Sequence, residues 1–170
     1  MAEKIFEKVT DWAEEYKDLN DELEERILAA NHDDSKVKWN KLLPDLMGAE
    51  VFIAGKYSED DQPADGRLAL SLMMMQKDGH NIIPFFTSPE RLSAVINPKS
   101  NQFDIMKVNL VVLFNSVMGK PMLMNPNSPY SRIFTPFEMR ILAAENADKA
   151  PVLHKTDADG EGDKDDSEKE

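Results

Sequence analysis

The 170-residue chain carries 20 Lys and Arg against 32 Asp and Glu, a formal net charge of -12, with 41% apolar residues and no cysteine. It is long enough to bury one substantial core, and the lack of cysteine excludes disulfides, a thiolate nucleophile and any cysteine-bearing zinc site. No run approaches the roughly eighteen apolar residues of a membrane helix, and the N-terminus shows neither the apolar segment nor the cleavage site of a secretory signal, so a cytoplasmic location is expected.

The acidity is confined to the ends. Residues 1–34 hold 4 basic and 12 acidic residues, residues 155–170 hold 3 and 8, and the 120 residues between hold 13 and 12. Binding a phosphate backbone needs a Lys/Arg-rich face. Neither nucleic acid nor an anionic membrane surface is therefore expected as a partner.

In chain order, Ile5, Val9, Trp12 and Tyr16 recur at helical spacing, and Leu19, Leu23 and Ile27 continue the stripe, which predicts helix over residues 1–31. Asn20 is a candidate N-cap for a second helix if the segment breaks there. Residues 1–19 thus read as an acidic helical extension. Asp34 or Ser35 caps a helix reaching about Met47, which Pro44 would normally kink or end. "AEVFIAG" reads as a first buried strand, "KYSEDDQPADGR" as a polar loop and "LALSLMMMQ" as a second strand. "KDGH" is a tight turn in which Gly79 supplies positive φ, and "NIIPFFT" is a third strand. Pro84 inside that run suggests an edge position or a bulge.

A helix follows over about 89–96, then a short strand, "FDIMKV". "NLVVLFNSVMG" is a helix capped by Asn109 and closed by Gly119. "KPMLMN" is a fifth strand, "PNSPYSR" a turn-rich loop and "TPFEMRILAAEN" the last helix. These elements predict an α/β fold, with α+β as the alternative. The expected sheet is mixed, with about five strands flanked by helices. The main domain spans 20–150. Residues 151–170 form an acidic tail whose composition cannot bury a core, and it is expected to be disordered.

Two helix starts share one chemistry. In "TSPE" (87–90) and "TPFE" (135–138) a hydroxyl accepts a backbone N–H, Pro takes the first turn and Glu sits at the positive helix end. Thr135 and Glu138 form a capping box, and either Thr87 or Ser88 caps the earlier helix. If strands 81–87 and 121–125 are parallel, their following loops share the C-terminal edge of the sheet, where open α/β proteins tend to bind ligands. Thr87, Ser88, Arg91, Asn125, Asn127, Ser128 and Arg132 are the candidate rim residues. No glycine-rich phosphate loop occurs. His32, His80 and His154, in a linker, a turn and the tail margin, accompany no recognisable nucleophile, and no catalytic residues or cofactor are assigned. Met73, Met74 and Met75 could mark an adaptable face and leave a homodimer open. In the tail, Asp157, Asp159, Glu161, Asp163 and Glu168 fall at ligand positions of a calcium loop. Glu replaces the usual Asp or Asn at one of them, Lys164 stands where an apolar anchor belongs, and no exiting helix follows, so no metal site is assigned.

"NIIPFFTSPERL", "FDIMKVNLVVLFNSVMGKPMLMNPNSP" and "FTPFEMRILAAE" together resemble the N-terminal domain of the SseB family, with residues 20–145 in the resembling order. The resemblance implies a bacterial α/β module without an established enzymatic activity or catalytic set. A non-enzymatic protein-interaction or regulatory role is expected, with an unidentified protein partner. The alternative is a small-ligand or anion-binding protein, or a weak hydrolase, using the same rim.

Overall fold

Two long apolar strands set the centre of the fold. The computed structural model describes residues 6–33, 35–57, 70–99, 102–117 and 119–151. The strands are β1 Glu7–Val9, β2 Glu50–Tyr57, β3 Leu70–Leu72, β4 Met75–Lys77, β5 His80–Phe85, β6 Asp104–Asn109, β7 Met122–Met124 and β8 Arg132–Phe134. The helices are α1 Trp12–Glu15, α2 Asp21–Asp33, α3 Lys36–Met47, α4 Pro89–Ser93, α5 Leu110–Ser116 and α6 Pro136–Glu145. One sheet, β1-β6-β2-β3, is antiparallel throughout. The other runs β4-β5-β7-β8, with β5 and β7 parallel. They meet where the backbones of Phe52 and Phe86 exchange hydrogen bonds of 2.8 and 2.9 Å. The α/β class holds, with eight strands in two sheets among the described residues rather than about five in one.

Strand alternation explains why β2 reads as an unbroken apolar run. Val51 and Ile53 enter a large core with Ile27, Leu46, Val108, Leu113 and Phe134. Phe52 and Ala54 point the other way, into a second core with Val9, Trp12, Phe86, Leu92 and Ile105. Residues 51–54 of β2 are therefore covered on both faces, and that part of the strand is apolar on either side. Met122 and Met124 fill the large core, and of the triplet Met73–Met75 Met74 is exposed while its two neighbours are half-buried.

Several sequence expectations are corrected. The helix predicted through residues 1–31 is instead β1, α1 and α2, with residues 1–5 outside the described part. β1 pairs with β6 at Glu7↔Lys107 and Val9↔Ile105, satisfying an edge whose backbone groups would otherwise lack partners. Of the described residues of that stripe, Val9, Trp12 and Ile27 are buried and Tyr16, Leu19 and Leu23 half-buried, on β1, α1, α2 and the turn between the helices. "LALSLMMMQ" divides into β3 and β4, which lie in different sheets. In–out alternation reports burial and carries no mark of a change of pairing partner.

Pro84 sits in an interior strand. β4 pairs with β5 only as far as Ile82, and β2 meets the chain again at Phe86. Pro84 therefore occupies the gap in which no neighbour needs its missing donor. The segment read as the loop "PNSPYSR" ends in an unforeseen strand, β8, and α5 stops at Ser116, short of Gly119. His32 lies in the last turn of α2 and His80 opens β5. His154 and the tail match at 157–168 lie outside the described residues.

Candidate functional site

The rim expectation depends on strand direction. β5 and β7 run parallel and side by side, with Ile83↔Met122, Pro84↔Leu123 and Phe85↔Met124 in register. Both therefore end at one sheet edge and deliver the 87–88 and 125–128 segments to the same place. Asn125 N–H donates to the Phe85 carbonyl at 2.8 Å, carrying the ladder into the loop. Asn125 and Asn127 adopt φ of 52° and 60°. Among residues with a side chain, Asn enters this left-handed region most readily.

The sequence reading sets Thr87, Ser88 and Asn125 on an accessible rim, whereas the structure encloses all three at 0% exposure. The capping question is resolved in favour of Ser88, whose Oγ accepts from Arg91 N–H, with Pro89 in the first turn of α4. Thr87 is thereby free for a different task. Its N–H donates to Asn125 Oδ1 and its Oγ1 accepts from Asn125 Nδ2, both at 3.0 Å. Its hydroxyl proton goes to the carboxylate of Glu24 on α2, a short contact. Asn125 Nδ2 also donates to the Tyr130 carbonyl at 3.2 Å.

Asn20 is not the side-chain cap that its position before α2 suggests. Its Nδ2 donates to the carbonyls of Thr87 (2.9 Å) and Glu50 (2.7 Å), tying the helix start to both sheets. The buried Glu24 carboxylate is balanced further by Arg91, whose Nε lies 3.7 Å away. The Arg91 guanidinium stacks 4.3 Å above the Tyr130 ring. Buried charge persists only when paired and hydrogen-bonded, and Glu24 has both kinds of partner. This cluster is a junction that locks α2, α4 and the β7–β8 loop.

Of the other rim candidates, Asn127 is exposed. Ser128 is spent on its own turn, donating to the Asn125 carbonyl at 2.9 Å and accepting from Tyr130 N–H at 3.1 Å. Arg132, at the start of β8, lies between the rings of Trp39 (4.6 Å) and Phe134 (4.5 Å). Its Nη2 pairs with Glu138 at 2.8 Å. The capping box is therefore only half used. Thr135 Oγ1 accepts from Glu138 N–H at 3.2 Å, while the Glu138 carboxylate turns to Arg132. Beside this pair, Lys36, Trp39, Asn40 and Leu43 of α3 form one wall of a groove of about 390 Å³.

Sequence reasoning missed Glu24, Asn20, Asn31, Tyr130 and Trp39. One signal was available: Asn20, Glu24, Ile27 and Asn31 recur at helical spacing, which puts polar groups on the face that buries Ile27. Asn31 uses its amide on the Pro129 and Ser131 carbonyls, fixing the same loop from the other side.

A third polar centre lies at Lys107 on β6. Burial opposes its charge, yet its ammonium bonds to Glu50 (2.8 Å) and Glu7 (3.2 Å) outweigh that and raise its pKa. Its ammonium also lies 5.4 Å from the Tyr16 ring centroid, and desolvation raises the Tyr16 pKa in turn. Among the described residues no group of three or more His, Asp or Glu is placed to hold a metal ion. No described helix is long and apolar enough to cross a membrane.

Fold and site together define an α/β domain whose buried polar junction supports an edge bearing two arginines stacked on aromatic rings. The SseB protein N-terminal domain family matches residues 23–141, and the chain belongs to that family. It is 30% identical over 101 residues to Protein SseB of Escherichia coli (strain K12) and to that of Shigella flexneri. The match covers 59% of this chain and 38% of each relative, so the chain spans well under half the length of the curated proteins it resembles. No solved structure gives a significant match.

Proposed function

We propose that the chain is a non-enzymatic protein-interaction or regulatory module of the bacterial cytoplasm, using the edge at the ends of β5 and β7 as its contact surface. The reading rests chiefly on the parallel pairing of these strands, which brings two loops and two partly exposed arginines, Arg91 and Arg132, to one edge. Each guanidinium is stacked on an aromatic ring, and arginine with aromatic residues is the composition enriched at protein interfaces. Thr87, Ser88 and Asn125 serve this surface by holding its geometry, whereas Asn127, Arg91 and Arg132 supply the contact.

The test is affinity capture with the full chain and its Arg91→Ala, Arg132→Ala double variant, both checked for folding by circular dichroism. Loss of a specifically captured protein is expected in the variant. Unchanged capture would remove the assignment. The second reading, a small-ligand or anion-binding protein using the same edge, is favoured by the groove beside Arg132. It predicts a rise in melting temperature with a metabolite or phosphate in a thermal-shift panel.

A further inference from the structure

We propose that the groove between α3 and the β8–α6 joint receives an aspartate or glutamate side chain of a partner polypeptide, with Arg132 as the residue that reads its carboxylate. This deepens the interaction reading above and rests on it.

The volume, about 390 Å³, lies at the lower end of the roughly 300–1,000 Å³ range of small-ligand pockets. That is room for one or two side chains. Lys36, Trp39, Asn40 and Leu43 follow one another at i, i+3, i+4 and i+7 along α3, so a single helix face supplies a cation, an aromatic, an amide and an apolar floor. Arg132 faces them from β8. Its guanidinium is held between two rings and by Glu138, which removes much of the freedom an arginine loses on binding. Only Nη2 is engaged by Glu138. Nη1 is enclosed without an acceptor among the described residues, so its charge is not fully answered, while the side chain as a whole is still 23% exposed. A carboxylate meeting that exposed part answers the guanidinium charge.

The charge balance selects the ligand further. Among the described lining residues Lys36 and Arg132 are opposed by Glu138, which leaves one positive charge over. A single carboxylate neutralises it, whereas a phosphate adds up to about two negative charges beside Glu138. Exposed apolar residues next in sequence favour a polypeptide. Val37 and Phe137, each 65% exposed, are the chain neighbours of the lining residues Lys36 and Glu138. Apolar surface near a partly buried arginine is a composition that protein interfaces favour.

The test titrates the full chain with a capped tetrapeptide containing one glutamate, following Trp39 emission. Trp12 is buried in the second core, and Trp39→Phe identifies the signal. A saturable change is expected with the glutamate peptide and not with its glutamine analogue. Arg132→Gln should weaken binding by at least about tenfold, as removal of a partly buried charged partner does. Lys36→Gln should weaken it by a smaller factor and Arg140→Gln should leave it unchanged. If Arg132→Gln does not fold by circular dichroism, Lys36→Gln carries the test, since Lys36 is exposed. Equal response to the glutamine peptide, stronger response to succinate or inorganic phosphate, or no saturable change would each overturn the assignment. If affinity capture survives while the peptide gives no response, the carboxylate assignment alone is overturned.

Discussion

Asn125 and Thr87, thirty-eight positions apart, are joined by two hydrogen bonds of 3.0 Å, one to the Thr87 backbone and one to its hydroxyl. An asparagine at φ 52° thus uses both ends of its amide on one residue at the end of the neighbouring parallel strand. This contact, with Glu24 beneath it, is what closes the β5–β7 edge.

Asn125→Ala removes three side-chain hydrogen bonds, about 1 kcal/mol each, and leaves a left-handed residue with a Cβ, which costs roughly 1–2 kcal/mol. A loss of about 3–5 kcal/mol in unfolding free energy is expected by urea denaturation. Asn125→Gly should be about 1–2 kcal/mol less damaging, because glycine adopts this φ without strain. An alanine variant as stable as the glycine variant would refute the backbone part of this account.

Thr87→Val leaves the Glu24 carboxylate without its hydroxyl donor, and Glu24→Gln keeps an acceptor while removing the attraction to Arg91. The two changes touch one network, so their effects should not add. A double-mutant cycle is expected to return a coupling of about 0.5–3 kcal/mol. Simple additivity would mean that the contact does not couple the two residues.

Lys107 titrates above its ordinary value, and so does Tyr16. Both groups therefore hold their protons more tightly in the folded chain than in the unfolded one. Their contribution is fully present below the unfolded values, about 10.4 for Lys and 10 for Tyr, and is lost as pH rises through the higher folded values. Stability followed by urea denaturation between neutral and strongly alkaline pH should fall at the alkaline end. Lys107→Met and Tyr16→Phe should each flatten that limb, and a limb of unchanged steepness in both would contradict the assignment.

Gly55 on β2 pairs with Leu72 of β3. A Cβ there would sit 2.6 Å from the Ser71 carbonyl oxygen, a backbone atom that cannot swing away. Gly55→Ala is expected to cost about 1–3 kcal/mol, the usual range for overpacking. At Gly48 the nearest atom would be Lys149 Cδ at 3.4 Å, on a flexible side chain, so Gly48→Ala should be close to neutral. Thermal melts of the two variants compare them directly.

Features that close within a few residues were legible in the sequence. Ser88 with Pro89 and Thr135 with Pro136 start helices by local capping, and Asp78 and Gly79 make the two-residue turn between β4 and β5 with φ of 53° and 80°. The α/β class was legible because the alternation of strand and helix periods is a property of the chain alone, and the family resemblance was carried by particular residues such as Phe85, Phe86, Thr87 and Ser88.

Local spacing was therefore enough for the central strands, the capped helix starts and the α/β class, while the parallel pairing that gives two strands a shared edge came only from the fold. The tertiary structure decided what each polar residue at that edge does. Glu24 reaches Thr87 across 63 positions, and Asn31 reaches Ser131 across 100. Pairing over such distances depends on which faces the folded chain brings together, and local spacing carries no record of it. The same reason turned residues 7–9 into a strand, because the open edge of β6 offers those backbones partners that a helix stripe cannot announce. Thr87 and Ser88 thus passed from rim candidates to buried supports, while Arg132 and Trp39, more than ninety residues apart, became the walls of one groove.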